Sequence, residues 1–240
     1  MKIAYFDCFS GASGDMLLGS LIDAGLDPDA LRRTVSALGR PDVTIACTRV
    51  RKKGISGTKV TIQSAEEPTH RHLSTIVNLI GDSTLPDVVK QKSIAVFENL
   101  ARAEAKIHGA DIEQVHFHEV GAVDAMVDIV GTVAALSLLG VEAVYSSPIN
   151  VGAGLLTCEH GTLPVPAPAA LELLKGKPVY SSGTLAELVT PTGAALLSTL
   201  CTAFRPFVPL TVESIGYGAG DADHELPNLL RVTIGAASGC

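Results

Sequence analysis

The densest run of side chains able to do chemistry is His116-Phe117-His118-Glu119, followed by Asp124 and Asp128. Side chains alternate along an extended segment, so His116 and His118 point to the same side and can ligate one metal ion. Asp124 and Asp128 are four residues apart, on one face of the apolar helix that follows. A carboxylate buried there is costly unless it is paired or metal-bound. Nitrogen and oxygen donors of this kind suit Ni, Zn, Mn or Fe, and the spacing alone does not choose among them. The ordinary alternative is a chance HxH pair, with Glu119 as a first-turn helix acid and the two aspartates as loop caps or arginine partners. Five such groups within thirteen residues favour the metal reading.

Two loops have the character of anion sites. Asp7-Cys8-Phe9-Ser10-Gly11-Ala12-Ser13-Gly14-Asp15 follows a short apolar run and precedes helical spacing. Its small residues, Ser10, Gly11, Ser13 and Gly14 with Asp7 and Asp15 at the ends, let backbone N–H groups approach a phosphate. It is neither a Walker A loop nor GxGxxG. The structural alternative is a tight strand–helix turn with Asp15 as N-cap. Thr190-Pro191-Thr192-Gly193 opens another helix, and Thr190, Thr192 and Gly193 read as a cap first and an anion site second. His70-Arg71-His72 lies in a polar approach to a helix, and His160 stands in a Gly/Pro-rich stretch. Cys8, near the end of the first strand, reads as a small buried hydrophobe.

The elements that must position these groups alternate between strand and helix. Lys2 to Phe6 reads as a strand and Met16 to Ile22 as a helix closed by Gly25. Asp27 and Pro28 open a helix to about Leu38. Val43–Val50 and Gly54–Gln63 read as two strands joined by a basic turn, with Arg49, Arg51, Lys52 and Lys53 as a solvated strand end or a local anion contact. Helices follow over Leu73–Ile80 and from Pro86 to about His108. Val123–Leu139 is apolar almost all round and should be a buried helix. After a strand at Ala143–Tyr145, the stretch Pro148–Pro168 reads as a long loop or a lobe seam. Helices at Ala169–Leu174 and after Pro191, then strands near Val208–Ser214 and Leu229–Ile234, complete an α/β fold. Its mixed sheet is flanked by helices, with the buried apolar helix after the histidine cluster. Residues 1–235 are expected to form one domain and 236–240 a linker or truncated end.

Composition removes several function classes. A net charge of -7 argues against nucleic acid as a partner. No uncharged apolar run approaches the ~20 residues of a membrane span. Five scattered cysteines with no CxxC and no visible signal peptide point to reduced thiols in the cytoplasm. Aromatics are 4% with no Trp, so the core must be aliphatic.

The blocks Tyr5–Met16, His70–His72, His116–Asp124, Asn150–Gly154, His160–Pro168, Glu187–Ala194 and Ile215–Gly218 together resemble the LarC-type nickel-insertion family of lactate racemase maturation. They cover nearly all of the chain to about Arg231. The resemblance implies a CTP-dependent enzyme that inserts Ni(II) into a pyridinium mononucleotide bearing two thiocarboxylates and forms a carbon–nickel bond. It implies a catalytic role for His118, Glu119 and Asp124. Metal contacts are expected from His70, His72, His116, His118, Glu119, Asp128 and His160, with the nucleotide on the two anion-type loops. It places Mn or Mg with CTP in a C-terminal domain that this chain lacks, so that portion is an expected partner. The lactate racemase apoprotein and a second copy of the chain are further expected partners. A non-catalytic nickel carrier, or a metal-dependent phosphohydrolase using Asp7, Asp15 and the histidines, are the competing readings.

Overall fold

In the computed structural model, residues 1–64, 71–115, 123–158 and 161–237 are described. They form strands β1 (Lys2–Asp7), β2 (Thr44–Lys52), β3 (Ile55–Gln63), β4 (Ala143–Ser146), β5 (Ile149–Asn150), β6 (Gly152–Ala153), β7 (Leu155–Cys158), β8 (Gly161–Pro164), β9 (Val179–Tyr180), β10 (Ala186–Glu187), β11 (Ala203–Phe204), β12 (Leu210–Ala219) and β13 (Leu229–Ala237). The helices are α1 (Gly14–Asp23), α2 (Pro28–Ala37), α3 (Leu73–Asp82), α4 (Asp87–His108), α5 (Val123–Leu138), α6 (Pro168–Leu173) and α7 (Pro191–Leu200). Among the described residues no helix is long and apolar enough to cross a membrane.

Seven strands make one mixed sheet in the order β11-β4-β1-β13-β12-β3-β2. β1 is parallel to β4 and β4 to β11, while β13 runs antiparallel to both β1 and β12. β12 and β3 therefore share the direction of β1. The α/β expectation with a mixed sheet holds. Alternation sends Ala4 and Phe6 into the main core beneath the helices, and Ile3 and Tyr5 to the opposite face against Val208. Phe207 covers Tyr5 edge-on there, with ring centroids 4.8 Å apart.

Local chemistry explains the helix ends. Asp27 accepts from the Asp29 N–H and Pro28 fills the first turn, so α2 starts where its sequence says. The long α4 stops at Gly109, which adopts a left-handed φ of 63°. α5 buries residues all around its circumference, including Met126, Ile129, Val130 and Val133, as the apolar spacing requires. Each such side chain contributes roughly 1.5–3 kcal/mol.

Two expectations change. Ser13, not Asp15, is the N-cap residue of α1, and Asp15 lies in its first turn. The strand expected near Val208–Ser214 is β12, which runs from Leu210 on to Ala219 through Gly216 and Gly218. These glycines are the floor on which α1 rests. A Cβ on Gly218 would lie 1.8 Å from the Met16 carbonyl oxygen, and one on Gly216 would lie 2.1 Å from that of Ser20. The stretch from Pro148 to Pro168 holds the short strands β5 to β8, with β7 and β8 paired as a hairpin.

Because helix backbone occupies the Cβ position, Gly218→Ala is expected to lower stability by about 3 kcal/mol in urea unfolding. An unchanged midpoint would show that α1 does not rest on this strand.

Candidate functional site

The parallel strands deliver their loops to one end of the sheet. After β1, Cys8 accepts from the Asn150 N–H at 3.2 Å, and Asn150 Nδ2 donates to the Phe9 carbonyl at 2.8 Å. The chain then turns back against the segment before α7. Ala12 N–H donates to Leu188 O at 2.9 Å, and Thr190 N–H donates to Ala12 O at 3.1 Å. A Cβ on Gly193 would come within 2.2 Å of that same Ala12 oxygen. The two anion-type loops, 178 residues apart between Ala12 and Thr190 (190 - 12), are thus stitched into one wall.

In front of the wall lies a cavity of about 480 Å³, bounded by Ser13, Gly14 and Asp15 at the start of α1, Asp124 and Asp128 of α5, and Thr190 and Thr192 at the start of α7. Lys59 of β3, Glu187, Asp221 and His224 close it. This size suits a small organic ligand. A second cavity of about 490 Å³ lies among α4, α5, α7 and β4. Its one carboxylate among the described residues, Glu142, is held by the Lys2 backbone N–H, so charge singles out the first.

The charge in this cavity is lopsided. Asp15, Asp124, Asp128, Glu187 and Asp221 face one ammonium, Lys59, among the described lining residues. Lys59 Nζ donates to Asp15 Oδ2 at 2.5 Å and to Asp221 Oδ2 at 2.8 Å. Burial works against its charge, but the bonds to Asp15 and Asp221 outweigh burial and raise its pKa. Ser13 Oγ also donates to Asp15.

Asp128 differs from the other acids. Its Oδ1 is buried with no hydrogen-bond partner among the described residues. Its Oδ2 lies where a side chain on Gly14 would begin, 2.5 Å from the position of a Cβ. Only glycine at position 14 lets this carboxylate approach the start of α1. Burial first, then the charges of Asp15 and Asp124, push the Asp128 carboxyl well above the usual range, while Lys59 pulls the other way.

The remaining sequence candidates separate as follows. Ser13, Gly14, Asp15, Asp124, Asp128, Thr190 and Thr192 meet at the cavity. Ser10 is wholly buried, and Gly11 and Gly193 support the wall from behind. Asp7 is bound by Arg231 Nη2 at 2.5 Å, so Asp7 and Asp15 have different cationic partners. His72 is at the N-cap position of α3 and does not line the cavity. His70, His116, His118, Glu119 and His160 lie outside the described residues. Among the described residues, no three His, Cys, Asp or Glu side chains are arranged to hold a metal ion. Burial pushes the Cys8 thiol up to about 12, as expected of an inert core cysteine. Sequence reasoning missed Lys59, Glu187, Asp221 and His224. An isolated lysine between the apolar positions of β3 was the one available signal.

The pH dependence of Asp128 has a definite sign. Its folded pKa is raised, so above that value the folded protein carries an ionised buried carboxylate, and the penalty fades as pH falls toward the ordinary carboxylate range. Asp128→Asn should raise the thermal midpoint at pH 8 by about 2–4 °C, the shift expected from roughly 1 kcal/mol in a chain of this size. The gain should shrink toward pH 4. A lower midpoint at pH 8 would contradict the assignment.

A family model described as nickel insertion protein matches residues 4–239. A pyridinium-3,5-bisthiocarboxylic acid mononucleotide nickel insertion protein of Desulfitobacterium hafniense strain DCB-2 is 55% identical over 235 residues, 98% of this chain and 58% of the relative. Its counterpart in strain Y51 is 54% identical over the same shares. A relative from Dictyoglomus thermophilum, also named for nickel insertion, is 46% identical over 98% of this chain and 61% of its own length. The chain thus spans about three fifths of the curated relatives it matches. No solved structure matches.

Proposed function

The chain belongs to the nickel insertion protein family, and on that premise we propose that it supplies the substrate-holding part of a CTP-dependent enzyme. That enzyme places Ni(II) on a pyridinium bisthiocarboxylate mononucleotide to make a nickel-pincer cofactor, the one used by lactate racemase. The observation that carries this reading is the carboxylate-walled cavity at the starts of α1, α5 and α7. Relatives at 55% and 54% identity are named for this nucleotide and this metal, which supports the same substrate here.

The chemistry assigns the residues their work. The substrate brings its own soft sulfur donors, so the protein needs only harder, exchangeable ligands that release nickel to them. We assign that holding role to His116, His118, Glu119 and Asp128. As nickel bonds to the ring carbon, the C–H bond breaks, its electron pair becomes the C–Ni bond, and a proton leaves. Asp124, at the cavity mouth, is the assigned acceptor. Thr190 and Thr192, at the start of α7, are assigned to the nucleotide phosphate. CTP and its Mn or Mg are assigned to the two fifths of the relatives that this chain does not span.

Reconstitution tests the reading: this chain, the portion of the relatives that it does not span, the bisthiocarboxylate nucleotide, Ni and CTP are mixed, and cofactor is assayed by activation of apo-racemase. His118→Ala is expected to lose at least tenfold in cofactor yield, and Asp124→Asn a similar factor. Equal yields from wild type and both variants would contradict these roles. Nickel binding with no incorporation under any condition would favour a nickel carrier.

A further inference from the structure

The nucleotide named for the relatives carries a phosphate and two thiocarboxylates, yet the cavity presents carboxylates on nearly every side. An anionic ligand entering it meets one described ammonium, that of Lys59. This side chain is only 13% exposed, and its two carboxylate partners, Asp15 and Asp221, differ sharply. Asp15 belongs to the first turn of α1, has a side chain 22% exposed, and is also held by Ser13. Asp221 lies beyond the end of β12 with a side chain 89% exposed. An ion pair with so exposed a partner contributes little and exchanges easily.

The stretch that carries Asp221 is tethered independently of this pair. Lys52 Nζ donates to the Asp221 and Ala222 carbonyls and to Asp223, and Asn228 Nδ2 donates to the Ala222 carbonyl at 2.9 Å. The Asp221 carboxylate can therefore leave Lys59 by side-chain rotation while its backbone stays fastened. Asp15 keeps the ammonium charged and aimed into the cavity.

We propose that Lys59 is the anchor for an oxyanion of the substrate, and that Asp221 is its internal stand-in, holding the ammonium until that oxyanion displaces it. This deepens the assignment of the cavity to the pyridinium mononucleotide and rests on it. A phosphate and a ring carboxylate or thiocarboxylate share the chemistry that Lys59 recognises. Asp221 then acts as a threshold against weaker anions, because a ligand must outcompete it.

The test is calorimetric titration of the 240-residue chain with three probes: nicotinate mononucleotide, inorganic phosphate and pyridine-3,5-dicarboxylate. Asp221→Asn is expected to tighten the recognised probe about two- to fivefold, the factor corresponding to an exposed ion pair. Lys59→Met is expected to weaken it at least tenfold, since charge-assisted bonds are the strong ones, and Lys59→Arg to restore part of the loss. Tighter phosphate binding in Asp221→Asn identifies the phosphate as the displacing group, and tighter dicarboxylate binding identifies the ring substituents. Unchanged or weaker binding in Asp221→Asn overturns the proposal even if Lys59→Met fails to fold. Wild-type binding of the mononucleotide that neither variant alters removes only the anchor role. If wild type and Asp221→Asn both bind no probe, the assignment of the cavity fails with it.

Discussion

The contact between α1 and the backbone of β12 governs the geometry of everything around the cavity. Helix carbonyls of Met16 and Ser20 sit where side chains on Gly218 and Gly216 would begin. A helix seated that closely cannot slide or roll without losing its fit to the strand. The opening turn of α1, with Ser13, Gly14 and Asp15, is therefore fixed relative to the sheet. Asp23 fastens the other end, accepting from the Tyr217 N–H at 2.8 Å and from Thr58 Oγ1 at 2.9 Å. α5 then packs on α1, where Asp128 exploits the absent side chain of Gly14.

From that placement follows an unusual electrostatic balance. Helix starts favour anions, yet the protein sets its own carboxylates there, Asp15 at α1 and Asp124 at α5. Among the described residues, one ammonium in the cavity offsets them, and one carboxylate, Asp128, remains without a partner on Oδ1. Such a site is costly for an empty protein and favourable for a cation. In the proposed reaction the cation is cargo, so moderate oxygen ligands are better suited than a thiolate cage, which would not release it to the substrate's sulfurs. Binding an anionic nucleotide beside those acids requires a counter-charge, and Lys59 is the side chain positioned to give it.

Periodicity made the elements legible, and it did so where one force dominated. Lys2–Asp7 and Val123–Leu138 are almost continuously apolar, and their strand and helix emerged within a residue of expectation. Asp27-Pro28 announced α2 because a cap and a fixed φ act locally. β12 extends past the expected Ser214 to Ala219, because glycine lowers strand propensity and the helix that makes Gly216 and Gly218 fit there is not visible in the local sequence. The seven-strand order was likewise invisible, since β1 pairs with β4 and β13 across most of the chain. In the site, the aspartates of α5 were found by helical spacing. Lys59 and Asp221 were missed because their pairing joins positions 162 residues apart (221 - 59) and leaves no local pattern.

The central claim is that nickel is transferred to the nucleotide in the cavity between α1, α5 and α7. Anomalous diffraction at the nickel edge, from crystals of the chain grown with Ni(II) and a pyridine mononucleotide, measures this directly. The account predicts an anomalous peak inside the cavity, within ligand distance of Asp128 or of the segment that precedes Asp124. A single strong peak elsewhere, with Asp124 and Asp128 free of metal and nucleotide, would contradict it.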